Sequence, residues 1–281
     1  MASVTPQRVK SGLRRAWSTL EELRLLSATN SWTLLTDRSD NPLTASPRRY
    51  WSQADEDGIL EQILKRIDSP SNGVFVEFGV GDGSQCNTLI LLSLGWSGAW
   101  ISGEELIFEP RPGGRLAFER AWIFRETIVA LAKTALARVE RSSEISLADV
   151  DVVSLDLDGN DFHFTEELLN AGLRPRVWIS EYNARFPVGS RWVMDYNDEH
   201  TWTEGDYFGA SLSAFAALFE SFGYFPVACS AQGANAFFVR DDYAENFSDV
   251  PKDLSALYRP LLRATRKWGH EVSAKTLESM T

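Results

Sequence analysis

The sequence predicts an α/β protein wound around a mostly parallel sheet, and three observations predict it. Short apolar runs rich in β-formers alternate with stretches of helical periodicity through the middle of the chain. The first clear run, Val74-Phe-Val-Glu-Phe78, stops at Gly79, Gly81 and Gly83, as a buried strand does when it turns tightly into a helix. Two later runs end in acids, Asp156 with Asp158 and then Glu181, and the carboxyl edge of an open sheet is where ligands sit.

Length and composition narrow the function. A chain of 281 residues with 44% hydrophobic and 24% charged residues holds one large α/β domain with an extension, or two small domains. The net charge of −11 argues against nucleic-acid binding, which needs a basic face. Two cysteines, Cys86 and Cys229, lie in apolar surroundings without metal-like spacing, which suits a reducing compartment. The N-terminus lacks a signal-peptide core, and the longest apolar stretch, Leu89 to Ile101, is too short to span a bilayer, so a cytoplasmic protein is expected.

Residues 8–27 carry Val9, Leu13, Trp17, Leu20 and Leu23 at helical spacing, with Arg8, Lys10, Arg14 and Arg15 on other faces. This helix packs on the domain or a second subunit, giving a homo-oligomer, or docks on a membrane surface or partner. The polar, proline-bearing stretch 36–49 reads as a linker. A helix follows from Gln53 to Ile67 with Ile59, Leu60, Ile63 and Leu64 on one face, stopped by Asp68-Ser-Pro70. After the glycine turn, Cys86 to Leu94 reads as a helix and Gly98 to Gly103 as a second strand. Glu104 and Glu105 lie just beyond it, where an acid hydrogen-bonds ribose hydroxyls of an adenosine cofactor, and spacing does not choose between them.

Ile123 to Leu131 reads as a third strand and Ala132 to Val139 as a helix. Val150 to Gly159 is a strand, Phe164 to Ala171 a helix, and Arg176 to Ser180 another strand leading into Glu181-Tyr-Asn183. Residues 184–210 form a long aromatic loop, and Ser211 to Phe222 is a helix with Leu212, Phe215, Leu218 and Phe219 at core spacing. Tyr224 to Cys229 and Ala236 to Val239 make a hairpin about Gln232-Gly-Ala-Asn235. The charged end, 241–281, contains an apolar helical segment, Leu254 to Leu262, and a tail expected to fray. Three parts follow: 1–50, a main domain over 51–240, and 241–281.

The spacing G-x-G-x-G, with Glu77 two residues before the first glycine, resembles the first motif of class I S-adenosylmethionine (SAM)-dependent methyltransferases rather than the dinucleotide pattern G-x-G-x-x-G. Ser52-Gln-Ala-Asp-Glu-Asp-Gly58, Ser154-Leu-Asp-Leu-Asp-Gly-Asn-Asp161, Glu181-Tyr-Asn-Ala-Arg-Phe-Pro187 and Tyr207-Phe-Gly-Ala-Ser-Leu212 resemble an FkbM-related branch of that family over Trp51 to Arg240. One departure is Asp156-Leu-Asp158-Gly159, where that branch typically has Asp-x-Glu-Gly. The resemblance implies a Rossmann-like fold with a mostly parallel seven-stranded sheet closed by the antiparallel hairpin, plus an N-terminal helical extension. It implies SAM as cofactor, held by Glu77, Gly79, Gly81, Asp82, Gly83, Ser84, Glu104 or Glu105, with Gln53 and Asp57 added from the segment before the first strand.

Adjacent strand ends bring Asp156, Asp158, Glu181 and Asn183 to one edge. Clustered carboxylates repel one another, and a hard cation such as Mg²⁺ or Mn²⁺ relieves the repulsion. Asp156, Glu181 and Asn183 are therefore candidate metal ligands, similar to the acids of metal-dependent sugar and catechol O-methyltransferases. Asp158 is the leading candidate base, with His163 second. Trp192, Trp202 and Tyr207 are candidate walls for a sugar acceptor, His200 lies within possible reach of it, and Arg185 or Arg191 are candidates to hold a phosphate. His270 reads as a surface residue. The expected activity is O-methylation of a sugar hydroxyl in a polysaccharide or secondary metabolite. The competing readings are a SAM-binding scaffold without turnover and, disfavoured by the glycine spacing, a nicotinamide-dependent dehydrogenase.

Overall fold

The computed structural model describes residues 40–45, 47–140, 145–261 and 273–280. The helix read over 8–27 and His270 lie outside the described residues. In chain order the elements are α1 (Glu56–Arg66), β1 (Val74–Phe78), α2 (Leu89–Ser93), β2 (Ser97–Ser102), β3 (Leu116–Arg120) and α3 (Ile128–Leu136). They continue with β4 (Val152–Leu155), α4 (Asp161–Asn170), β5 (Val177–Glu181), α5 (Leu212–Ser221), β6 (Tyr224–Cys229), β7 (Asn235–Arg240), α6 (Leu254–Leu257) and α7 (Ala274–Ser279). None of the described helices is long and apolar enough to cross a membrane.

The strands form one seven-stranded sheet in the order β3-β2-β1-β4-β5-β7-β6. β3, β2, β1, β4 and β5 run parallel, and β7 pairs antiparallel with both β5 and β6. This is a Rossmann-like α/β architecture, with its reversed penultimate position filled by β7. Every residue of β1 is buried because helices cover both faces of the sheet. Side chains alternate along the strand, so Val74, Val76 and Phe78 join the core under α3, α4 and α5. Phe75 joins the opposite core with Ile59, Leu60 and Ile63 of α1 and with Leu91 of α2. Glu77 shares the face of Phe75, which aims its carboxylate at the start of α2.

Three readings of the sequence are corrected here. The third strand is Leu116–Arg120, paired parallel with Gly98–Ser102, and the segment beginning at Ile128 is helical. Ile128, Ala132, Ala135 and Leu136 bury a stripe at helical spacing, which overrides the strand preference of Ile123, Ile128 and Val129. The stretch read as a linker packs onto the domain from Asp40 onward: Leu43 is 1% exposed, and Asn41 Nδ2 donates to the Val227 carbonyl at 2.7 Å. The tail is anchored as well. Ser273 N and Thr276 Oγ1 each donate to Asp206 Oδ1 at 2.8 Å, and Trp192 Nε1 donates to Ser279 Oγ at 2.8 Å.

Candidate active site

Gly79, Gly81 and Gly83 all take positive φ, at 85°, 53° and 84°, a region that favours glycine. Gly79 is forced by contact as well, since a β-carbon there would collide with the backbone oxygen of Asp156. At Gly81 a β-carbon would meet nothing within 4 Å, so bare backbone faces open space. Glu77 holds the end of this turn. Its Oε1 accepts from Asn87 N at 2.8 Å, and its Oε2 accepts from Thr88 N at 2.9 Å and Thr88 Oγ1 at 2.5 Å. Burial pushes the Glu77 carboxyl upward, and these donors oppose the shift. Asp82 and Ser84 close the turn on each other, with Ser84 N and Oγ donating to Asp82 Oδ1.

The turn opens onto a crevice of about 640 Å³ at the carboxyl edge of β1, β2 and β4. Gln53, Glu77, Gly79, Gly81, Asp82, Ser84, Glu104, Asp156 and Asp158 line it together, joined by Trp122 and Asn235. No Lys, Arg or His is among the described residues of its wall. Of the two glutamates beyond β2, Glu104 lines the crevice, whereas Glu105 is drawn away into an ion pair with Arg120.

At the far end, oxygens of Asp156, Asp158 and Glu181 lie within 4.8 Å of one another. Asp156 is held well above the usual carboxylate range by burial, then by the charges of Asp158, Asp161 and Glu77. Glu181 is raised by burial and by Asp156, to which it is hydrogen-bonded. Glu181 Oε2 is buried and has no hydrogen-bond partner among the described residues. An orphaned oxygen within three close carboxylates fits a hard divalent cation, which takes oxygen ligands and relieves their mutual repulsion. Asp158 reaches the cluster through a left-handed backbone, φ 53°. Asp161, fully buried, supports that loop: Oδ1 accepts from Leu157 N and Oδ2 from Gly159 N, both at 2.8 Å. Burial pushes Asp161 up to about 6 despite those donors.

Several candidates do other work. Asn183 is not positioned as a metal ligand: its Nδ2 donates to the carbonyls of Asp206 and Phe208, and its Oδ1 accepts from Arg185 N. Asp57 is buried beneath the loop before α1, where its Oδ2 accepts from the backbone N–H groups of Tyr50, Trp51 and Ser52, so it organises that loop instead of meeting a cofactor. His163 is held by the aromatic loop. Its Nε2 hydrogen-bonds the Met194 carbonyl at 2.8 Å and its ring packs edge-on against Tyr196.

The aromatic loop is likewise turned inward. Trp192 stacks on Phe186 with ring centroids 4.2 Å apart and meets Tyr207 edge-on, so both form a small core of their own. Trp202 donates to the Gly205 carbonyl within the loop. Arg185 lies 3.6 Å from Asp206, which engages its charge. His200 hydrogen-bonds the Asp158 carbonyl at 3.1 Å and covers Gly159, bordering a separate cavity of about 90 Å³ with Trp122 and Leu157.

No protein-family model matches this chain, and no curated protein matches it. Solved structures do. A 1,6-didemethyltoxoflavin-N1-methyltransferase of Burkholderia thailandensis, with its substrate and S-adenosylhomocysteine bound, is similar with a TM-score of 0.38 and 10% identity over 85% of this chain and 92% of that one. An amino pentose methyltransferase of Micromonospora echinaspora is similar with a TM-score of 0.33 and 13% identity over 68% of this chain and 92% of that one. A SAM-dependent methyltransferase of Aquifex aeolicus gives 0.32 and 10% over 66% and 88%. At these identities the likeness is one of fold alone.

Trp122 and Asn235 are among the wall residues that the sequence pattern does not mark. Trp122 lay in the misparsed stretch between β2 and β4, and it stands half exposed with its Nε1 donating to the Asp198 carbonyl. Asn235 was read only as a hairpin turn, and no sequence signal marks it. It joins the site because the reversed β7 begins at the carboxyl edge.

Proposed function

We propose that the chain is a SAM-dependent O-methyltransferase that modifies a sugar hydroxyl of a polysaccharide or secondary-metabolite glycan with the help of a divalent metal ion. One observation carries the reading: the glycine turn and the carboxylates of Asp156 and Asp158 line one crevice. The charge of its wall favours this cofactor over a dinucleotide. Asp82, Glu104 and Asp158 face the space with no described cation beside them, which attracts a sulfonium and repels a pyrophosphate.

In this reading the backbone at Gly79 to Ser84 and the Glu104 carboxylate would hold the cofactor, with Glu104 as the acceptor for its ribose hydroxyls. SAM, when bound, supplies an electrophilic methyl group on sulfur. Asp156 and Glu181 would hold Mg²⁺ or Mn²⁺, which supplies Lewis acidity that lowers the pKa of an acceptor hydroxyl. Asp158, the exposed member of the trio, takes the hydroxyl proton as the oxygen attacks. Holding the oxygen in line supplies roughly 7–11 kcal/mol of the barrier.

Calorimetric titration with S-adenosylhomocysteine and with NAD tests the cofactor, with micromolar binding of the first and none of the second expected. Methyl transfer to a sugar panel, measured in chelator and again after adding Mg²⁺, tests the metal. Full activity in chelator removes the metal from the account, and failure to bind S-adenosylhomocysteine removes the whole reading.

A further inference from the structure

We propose that Asn235 is the specificity-determining contact for the methyl acceptor, its Oδ1 taking a hydrogen bond from a hydroxyl adjacent to the one that reacts. This rests on the methyltransferase reading above and adds to it the acceptor's chemistry: a vicinal diol presenting a donor to Asn235.

The position follows from the sheet. β7 runs antiparallel to β5, and Asn235 stands in register opposite Glu181. Partners opposite each other on antiparallel strands place their β-carbons about 4.5–5.5 Å apart. Asn235 therefore flanks the acidic trio on the side away from the glycine turn, in the wall of the same crevice.

The side chain is fixed and only one of its ends is satisfied. Asn235 is 4% exposed. Its Nδ2 donates to Glu56 Oε1 at 3.4 Å, and Glu56, itself buried, is oriented by Ala54 N donating to its Oε2 at 2.8 Å. The backbone is locked as well, with Asn235 N donating to Ser230 Oγ at 3.1 Å and the Asn235 carbonyl accepting from Ser230 N at 2.8 Å. The contact of Nδ2 with the Glu56 carboxylate, an acceptor, assigns the other end of the amide as oxygen. That oxygen, Oδ1, is buried with no hydrogen-bond partner among the described residues, as is Oε2 of Glu181 across the register. Buried acceptors left without donors are costly and uncommon. Two of them on residues paired in register beside an acidic cluster mark a place for a ligand that brings donors.

The chemistry of Oδ1 selects the ligand. A carbonyl oxygen accepts and never donates, so it takes an O–H and rejects a ketone, a carboxylate or a phosphate. The wall offers no described cation to hold an anionic group in compensation. A neutral polyol satisfies both conditions, one hydroxyl turned to the trio and its neighbour to Asn235.

Glycerol, a small polyol with vicinal hydroxyls, is the probe. Crystals of the full chain with S-adenosylhomocysteine and Mn²⁺ are soaked in glycerol, and its affinity in solution is measured by saturation-transfer NMR for the wild type and for Asn235→Leu. A glycerol hydroxyl is expected about 2.7–3.0 Å from Asn235 Oδ1. The Leu variant is expected to bind glycerol roughly 3- to 10-fold more weakly, with S-adenosylhomocysteine affinity within about twofold of wild type. Should Asn235→Leu not fold, Asn235→Ser, whose hydroxyl is too short to reach the diol, gives the same comparison. Equal glycerol affinity in the variant, or glycerol bound elsewhere or nowhere while S-adenosylhomocysteine occupies the glycine turn, overturns the role of Asn235 alone. Absence of S-adenosylhomocysteine from the turn overturns the methyltransferase reading instead.

Discussion

The backbone oxygen of Asp156 lies 1.6 Å from the point that a β-carbon on Gly79 would occupy. The glycine turn and the acid-bearing strand are thus in direct backbone contact, and no side chain fits between them. Gly79→Ala is expected to lose about 2–5 kcal/mol, combining a left-handed alanine with overpacking against main chain. Gly81→Ala meets no atom within 4 Å and is expected to lose only about 1–2 kcal/mol from its backbone. Urea unfolding of the two variants checks the contrast, and equal losses would refute it.

Stability is expected to fall as pH rises from about 5 to 8. Asp55 is pushed up to about 7, by burial first and then by the charge of Glu56, and Asp161 to about 6 by burial. Glu77, Asp156 and Glu181 shift in the same direction. The folded chain therefore keeps protons that the unfolded chain has released above about pH 4. The stability these groups contribute is complete below their unfolded pKa values and is lost as pH climbs through the folded ones. The net charge of −11 adds to the trend. Melting temperatures across the range report the slope, Asp55→Asn should flatten it, and a steady rise toward pH 8 would contradict it.

Asp161 positions Asp158 by gripping the backbone on both sides of it. Asp161→Asn replaces one acceptor oxygen with a donor that faces an N–H, so the loop that keeps Asp158 at φ 53° loses its hold. A stability loss of roughly 1–3 kcal/mol is expected. If the trio binds a divalent ion, Mn²⁺ affinity measured by electron paramagnetic resonance should fall in step, whereas an unchanged affinity would show that Asp158 needs no such support.

Trp122 stands half exposed in the crevice wall, so its loss should be felt by the cofactor and hardly by the fold. Trp122→Ala is expected to weaken S-adenosylhomocysteine binding roughly 2- to 10-fold, the range for one aromatic contact. Its melting temperature should stay near that of wild type. The reverse pattern, a large thermal shift with unaltered binding, would make Trp122 a packing residue.

Asp206 anchors the last described helix to the aromatic loop, and Asp206→Ala strands the donors of Ser273 and Thr276. A loss of about 1–3 kcal/mol is expected, with faster proteolysis near residue 273. Arg185→Ala, which removes an exposed partner of the same carboxylate, is expected to cost at most about 1 kcal/mol.

What the sequence disclosed was whatever rests on local pattern. The β1 run and its glycines, the acids closing β4 and β5, and the stripe of α1 were all legible, because periodicity and backbone freedom are properties of neighbours in the chain. The third strand was not, since Ile123 and Val129 favour extended backbone and only tertiary packing makes the following stretch a helix. Asn183 and Asp57 looked like ligands because their chemistry suits one. Whether an amide or carboxylate faces a crevice or caps its own loop depends on the path of that loop, which residue type does not encode. Trp192 and Tyr207 failed in a related way, since large aromatic side chains wall a pocket or fill a core equally well.

The direct contact between Gly79 and Asp156 and the hairpin turn ahead of Asn235 both leave little room for substitution. A backbone fit with no room for a single methyl group leaves few tolerated replacements, and any drift there damages folding as well as chemistry. The turn from Ser230 to Ala234 is held as closely: Ser230 and Ala231 are buried, Ala231 N donates to Asp55 Oδ1 at 2.8 Å, and a β-carbon on Gly233 would lie 2.4 Å from the Pro260 carbonyl oxygen. Change in the crevice is accordingly easier at exposed wall residues such as Trp122 than at either of these two backbone fits.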